Sequence, residues 1–220
     1  MGETVKIEKM EPSGGGFRVT FANLEEPLEL SALLCHRHRL KAGIVITTAQ
    51  LKQLQSDAAA EGCDAQAARL LALREHSVGE LRAKLKKKGF DESTISETLK
   101  SFLQRGHLDD SRFASSLARR TLERKPAGRS YLVAVLRRKM IARDLAEQVV
   151  GQLLDGRDET AQAVAALERK WPELARIEVE TARRRAYSYL SRRGFGYEAA
   201  KTAWEQLSEQ HSEVDYDQDR

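Results

Sequence analysis

Two cysteines, Cys35 and Cys63, are too few for a disulfide framework, so a reducing compartment is the simpler expectation. No run of about 18 apolar residues occurs, which leaves no candidate membrane-spanning helix. The first twenty residues lack the apolar stretch of a signal peptide. A soluble, cytoplasmic protein without membrane contacts is expected. Proline is confined to Pro12, Pro27, Pro126 and Pro172, outside the long helical patterns in which it would remove a hydrogen bond. Aromatic residues make up only 6% of the 220 residues, so the core must be built without large aromatic anchors. Catalytic signatures are missing as well. There is no phosphate-loop glycine pattern, metalloprotease helix or nucleophile elbow, and His76, His107 and His211 have no evident triad partners. Cys35-His36-Arg37-His38 has the look of a metal fragment, but no second ligand pair stands at a usual spacing. Asp109-Asp110 reads as a helix cap rather than a catalytic carboxylate pair. No catalytic residue, metal or cofactor is expected, and the chain reads as a non-enzyme.

What remains is rich in Ala, Leu, Glu, Lys and Arg, all strong helix formers. The net charge of +4 is unevenly spread. Residues 1–61 carry 7 Lys and Arg against 8 Asp and Glu, residues 62–208 carry 29 against 20, and residues 209–220 carry 1 against 5. A basic middle between acidic ends suggests a polyanion or an acidic protein surface as partner, although helix-rich surfaces are charged in any case.

Residues 4–10 and 17–21 alternate polar and apolar around Ser13-Gly14-Gly15-Gly16, which predicts a β-hairpin, with a third short strand near Leu28–Leu30. A short helix over 31–40, ending at Gly43, and a helix opened by the capping-box pair Thr47 and Gln50 should follow. Residues 58–62 read as a connector.

From Ala65 onward the pattern is helical and repeats. Leu85, Leu136 and Leu190 correspond. Gly89, Met140 and Gly194 lie four residues on, Phe90, Ile141 and Phe195 five, Ile95, Ala146 and Ala200 ten. Leu99, Val150 and Trp204 lie fourteen on, and Phe102, Leu153 and Leu207 seventeen. The spacing suits three short helices per unit. Within the first unit Ser77 and Glu80 form a capping-box pair, Gly89 stops a helix, Asp91 caps the next, and Ile95, Leu99, Phe102 and Leu103 form its apolar stripe. First helices are expected over 67–75, 112–123 and 159–169, a break at Gly128, another at Trp171-Pro172, and a long helix over 176–193. The predicted class is all-α: three tandem three-helix repeats in an elongated curved array, preceded by a small β-hairpin and helix extension. Its parts are the extension (1–61), the repeats (62–109, 110–156 and 157–208) and an acidic disordered tail (209–220). Such units are too small to bury their stripes alone, so neighbours must stack.

Candidate partner-binding residues cluster before each inter-helix turn: Lys86, Lys87 and Lys88, then Arg137, Arg138 and Lys139, then Arg192 and Arg193. Two causes place cations there: a partner-facing edge, or the attraction of a helix C-terminus for positive charge. Arg119, Arg120, Arg124, Lys125 and Arg129 surround the loop of the middle unit, where arginine can grip carboxylate or phosphate bidentately. Arg183-Arg184-Arg185 cannot all face one partner, because consecutive helical residues point apart. Tyr187, Tyr189, Phe195 and Tyr197 interleave with arginines, as core or as stacking groups.

Residues 68–77 (Ala-Arg-Leu-Leu-Ala-Leu-Arg-Glu-His-Ser), with Glu80-Leu81 and Lys88-Gly89-Phe90, resemble the opening of the RecX family of recombinase regulators. Residues 106–114 (Gly-His-Leu-Asp-Asp-Ser-Arg-Phe-Ala) are similar to that family's link between first and second repeats, and residues 189–195 (Tyr-Leu-Ser-Arg-Arg-Gly-Phe) to its third-repeat motif. The resemblance spans about residues 65–207. It implies a bacterial, monomeric, non-enzymatic cytoplasmic protein that binds the RecA filament on single- or double-stranded DNA. Such a protein lies along the filament groove, limits its extension, and damps ATP hydrolysis, strand exchange and coprotease activity. Met140 departs from the family's glycine, which predicts a less sharp helix stop in the middle unit. A RecA-independent DNA-binding module, or a helical scaffold for an acidic protein, is the competing reading of the same basic repeats.

Overall fold

The computed structural model describes residues 3–22 and 24–218, with side chains as far as 211. The chain divides into two units, one formed by residues 1–75 and 81–107, the other by residues 76–80 and 108–220. One cut of this division, between Glu80 and Leu81, falls inside a helix.

In the first unit, β1 (Thr4–Ser13) and β2 (Gly16–Phe21) form the predicted hairpin. Ser13 pairs with Gly16, and the two turn residues between them, Gly14 and Gly15, both take positive φ, as a two-residue hairpin turn with the strands' own twist requires. β3 (Leu28–Ser31) and β4 (Val45–Thr47) complete an antiparallel sheet in the order β3-β2-β1-β4. β4 was not expected, because three residues are too few to show alternation. Ile7, Val19, Phe21 and Leu30 of the sheet bury against Leu34, Leu51 and Leu54.

α1 (Ala32–Arg37), capped by Ser31, ends well before Gly43; Arg39 takes the left-handed conformation first, at φ 53°. α2 (Thr48–Leu73) begins with the predicted Thr47–Gln50 capping box and then runs unbroken through the supposed connector at 58–62. The alanines there favour helix, and one interior glycine costs only ~1 kcal/mol. A Cβ at Gly62 would make only an ordinary contact with the Phe90 ring, at 3.6 Å, so packing does not require glycine there. α2 therefore serves two cores, its first half lying on the sheet and its second half, with Cys63 and Ala67 buried, packing against α4.

α3 (Val78–Lys87) and α4 (Glu92–Gln104) follow. Asp91 caps α4 as predicted, accepting from the Thr94 N–H at 2.9 Å. Ile95, Leu99 and Phe102 are buried, but Leu103 is 45% exposed, so the stripe is narrower than expected.

The second unit contains α5 (Asp110–Arg124), α6 (Arg129–Arg138) and α7 (Arg143–Leu154), closed around Phe113, Leu132, Leu136, Ile141 and Val150. α8 (Glu159–Glu168), the single turn α9 (Trp171–Leu174), α10 (Val179–Arg192) and α11 (Tyr197–Gln218) follow, around Leu167, Leu190, Phe195 and Leu207. The long helix expected from 176 begins only at Val179, capped by Glu178. The tail from 209, expected to be disordered, continues α11 in backbone as far as Gln218. Its last residues, 219–220, and the side chains of 212–218 lie outside the described residues.

Leu85, Leu136 and Leu190 are all fully buried, and each burial is worth roughly 1.5–3 kcal/mol. Among the described residues no helix is long and apolar enough to cross a membrane.

Candidate polyanion-binding surface

The three turns that carry the basic clusters have one geometry. Gly89, Met140 and Gly194 each donate their N–H to the carbonyl three residues back, at 3.0, 2.9 and 2.9 Å. All three have positive φ, 93°, 57° and 81°. Met140 therefore makes the same left-handed stop as the glycines, contrary to the expectation of a less sharp one. The strain this places on a side chain costs ~1–2 kcal/mol.

Two of these turns seat on the start of another helix within the second unit. The Ser77 hydroxyl donates to the Lys139 carbonyl and accepts from the Glu80 N–H at 3.0 Å, and Lys139 Nζ lies 3.1 Å from Glu80 Oε1. One repeat later, the Gly128 N–H donates to the Arg193 carbonyl at 2.8 Å. Arg193 Nε donates to the Pro126 carbonyl at 3.0 Å, and the guanidinium stands over the Tyr131 ring. Counting from Leu85 and Leu136, Glu80 and Tyr131 are equivalent. So are Lys139 and Arg193. The last cation of the second and of the third cluster thus holds a joint, through an ion pair at Lys139 and a cation–π contact at Arg193.

The other candidates stand in the open. Lys86, Lys87 and Lys88 are exposed at the end of α3, Arg119 and Arg120 on α5, and Arg124 at its last turn. Arg192 is exposed, whereas Arg193 is half-buried. Arg138 is exposed and reaches the Tyr131 ring from the side of its own helix, 6.0 Å from the centroid. The structure brings Arg129 and Arg137 to one open groove of about 660 Å³, lined also by Val133, Arg143 and Glu147. Arg137 donates to the Ile141 carbonyl at 2.6 Å, and Arg143 Nε lies 2.7 Å from Glu147 Oε1.

The third repeat has a groove of about 650 Å³ at the same place. Counting from Leu136 and Leu190, Arg129, Ser130, Val133, Arg143 and Glu147 correspond to Arg183, Arg184, Tyr187, Tyr197 and Lys201, and all ten residues line their respective grooves. A neighbouring groove carries Arg184, Arg185, Tyr189 and Arg192, so the Arg183–Arg185 run divides between two faces, as helical geometry requires. Sequence reasoning missed Arg143 and Lys201; the repeat offset from Arg129 and Arg183 was the signal that could have found them. Tyr131 carried no signal of its own.

The supposed metal fragment is otherwise employed: Cys35 is buried in the sheet's core, and His38 Nε2 lies 2.8 Å from Asp57 Oδ2. Asp109 caps α5 through the Arg112 N–H, whereas Asp110 accepts from the Val78 N–H at the start of α3, at 2.8 Å. Burial pushes the Asp110 carboxyl above the usual carboxylate range.

Fold and surface together define a helical-repeat protein with basic, open grooves at equivalent places in its second and third repeats. Residues 65–101, 109–150 and 157–204 match the first, second and third three-helix domains of RecX. The regulatory protein RecX of Pelodictyon phaeoclathratiforme is 34% identical over 148 residues, covering 67% of this chain and 90% of that protein. That of Chlorobaculum tepidum is 34% identical over 135 residues, covering 61% and 81%. A crystal structure of a regulatory protein RecX superposes with a TM-score of 0.71 at 15% identity, covering 90% of this chain and 98% of that one. The chain belongs to the RecX family of regulatory proteins.

Proposed function

We propose that this protein is a non-enzymatic modulator, mainly an inhibitor, of the RecA recombinase. In this reading it binds the RecA–DNA filament and limits its extension, ATP hydrolysis, strand exchange and coprotease activity. Its kinship with the regulatory RecX proteins supports the class of partner. The observation that carries the mode of binding is the repeated groove, in which α6 and α10 present arginines at equivalent positions. Side chains that recur at a fixed spacing suit a partner that is itself periodic. Phosphate contacts made in this way are indifferent to sequence and sensitive to salt. Arg129, Arg137, Arg138 and Arg192 are the proposed contacts in the second unit, Lys86, Lys87 and Lys88 those in the first, and Arg119, Arg120 and Arg124 a further set. Arg193 contributes by holding the joint that presents them.

Cosedimentation tests the reading. The protein should pellet with RecA filaments formed on single-stranded DNA at concentrations where naked DNA does not retain it. Equal retention by naked DNA would instead identify a RecA-independent DNA-binding module.

A further inference from the structure

The two equivalent grooves have diverged in one respect. Where the second repeat has Val133 and Arg143, the third has Tyr187 and Tyr197, whose rings meet edge to face with centroids 5.8 Å apart. Tyr197 is 66% exposed, whereas Tyr187 is half-buried, and burial holds its phenol above the ordinary tyrosine value and so neutral. Cations surround the pair. Arg183 lies 2.7 Å from Glu180 and Lys201 4.0 Å from Glu205, and Arg184 also lines the groove. Exposed ion pairs of this kind contribute little, so a phosphate can compete for the cations.

An acidic peptide would need only the cations. An exposed aromatic face beside them suits a ligand that carries both a flat ring and an anion, which is a nucleotide with its base out of the stack. Bases of a duplex are stacked and paired, so the strand must be single. We propose that the Tyr187–Tyr197 groove of the third repeat is a stacking site for an unpaired base of single-stranded DNA, with Arg183, Arg184 and Lys201 on the flanking phosphates. The choice of DNA over RNA rests on the proposed function; the stacking geometry does not. The second-repeat groove, which lacks both rings, would hold backbone alone.

The test is fluorescence anisotropy without RecA, using a labelled oligothymidylate and an abasic strand of the same length. Wild-type protein should prefer the oligothymidylate by roughly tenfold. Tyr197→Ala should abolish the preference while leaving affinity for the abasic strand unchanged, and Tyr197→Trp should keep it. Tyr197 is exposed at the first residue of α11, and circular dichroism verifies that each variant is folded. Equal binding of the two strands by wild type, or a preference that survives Tyr197→Ala, overturns the stacking site. Because the assay contains no RecA, that failure leaves filament binding to be judged by cosedimentation.

Discussion

The guanidinium of Arg193 lies 4.7 Å from the centre of the Tyr131 ring and donates to the Pro126 carbonyl 67 residues earlier in the chain. It therefore ties the turn after α10 to the start of α6, in the position that Lys139 occupies against Glu80. Its neighbour Arg192 is exposed. The two arginines, adjacent in sequence and alike in chemistry, should separate on substitution. Arg193→Ala should destabilise the protein by ~2–4 kcal/mol, the sum of a partly exposed cation–π contact and a charged hydrogen bond. Arg192→Ala should leave stability within about 0.5 kcal/mol of wild type. Urea unfolding of the two single variants distinguishes them; equal stabilities would remove Arg193 from the joint.

Glycines at the turns should differ in tolerance by what stands next to them. A Cβ at Gly128 would come within 2.1 Å of the Gly194 carbonyl oxygen, and one at Gly194 within 2.2 Å of the Tyr131 nitrogen. Both obstacles are backbone, so Gly128→Ala and Gly194→Ala should each cost about 3 kcal/mol or more. Gly89 shares the positive φ of Gly194 but has open space around it, so Gly89→Ala should cost only the conformational penalty, ~1 kcal/mol. Thermal melts of the three variants rank them directly.

Met140 holds the left-handed conformation with its side chain 54% exposed, so little burial is lost when it is removed. Met140→Gly should stabilise the protein by ~0.5–1 kcal/mol. Met140→Val, whose branched Cβ is worse in this region, should destabilise it. A loss of stability in Met140→Gly would mean that the side chain is needed where it meets Gly79.

The Asp91 carboxylate accepts from the Ser93 hydroxyl, the Thr94 hydroxyl and the Thr94 N–H, which hold it far below the usual carboxylate range. A depressed folded value means stability that is present above the unfolded value of about 3.9 and is lost as pH falls through the folded one. Asp91→Asn should therefore flatten the acid limb of the melting-temperature profile below about pH 4. An unchanged acid limb would show that the cap does not matter to folding.

Much of this is legible in the amino-acid sequence alone. Leu85, Leu136 and Leu190 announced the repeat because buried positions on short helices tolerate few residue types. Asp91 and Thr47 announced helix starts because their capping bonds are local. What escaped is what depends on distant partners. The sequence around Arg192 and Arg193 does not say which one turns inward, since the answer lies in Tyr131 and Pro126. The alanine-rich stretch at 58–62 looked like a connector because its neighbours on both sides, the sheet and α4, are brought to it only by folding. Met140 looked like a defect because backbone strain leaves no trace in composition, and the turn proved the same. The groove residues Arg143 and Lys201 stood at readable offsets, but only the fold shows that those offsets line an open face.

If the protein restrains RecA through its exposed arginine grooves, as proposed, RecA ATP hydrolysis on single-stranded DNA should respond when the protein is titrated in. Wild type should lower the rate progressively, and a folded variant carrying Arg129→Ala, Arg137→Ala and Arg192→Ala should need at least tenfold more protein for the same effect, roughly the loss of one to two charged contacts. A wild-type titration that leaves hydrolysis unchanged would contradict the claim outright, and a triple variant as potent as wild type would contradict its assignment to these grooves.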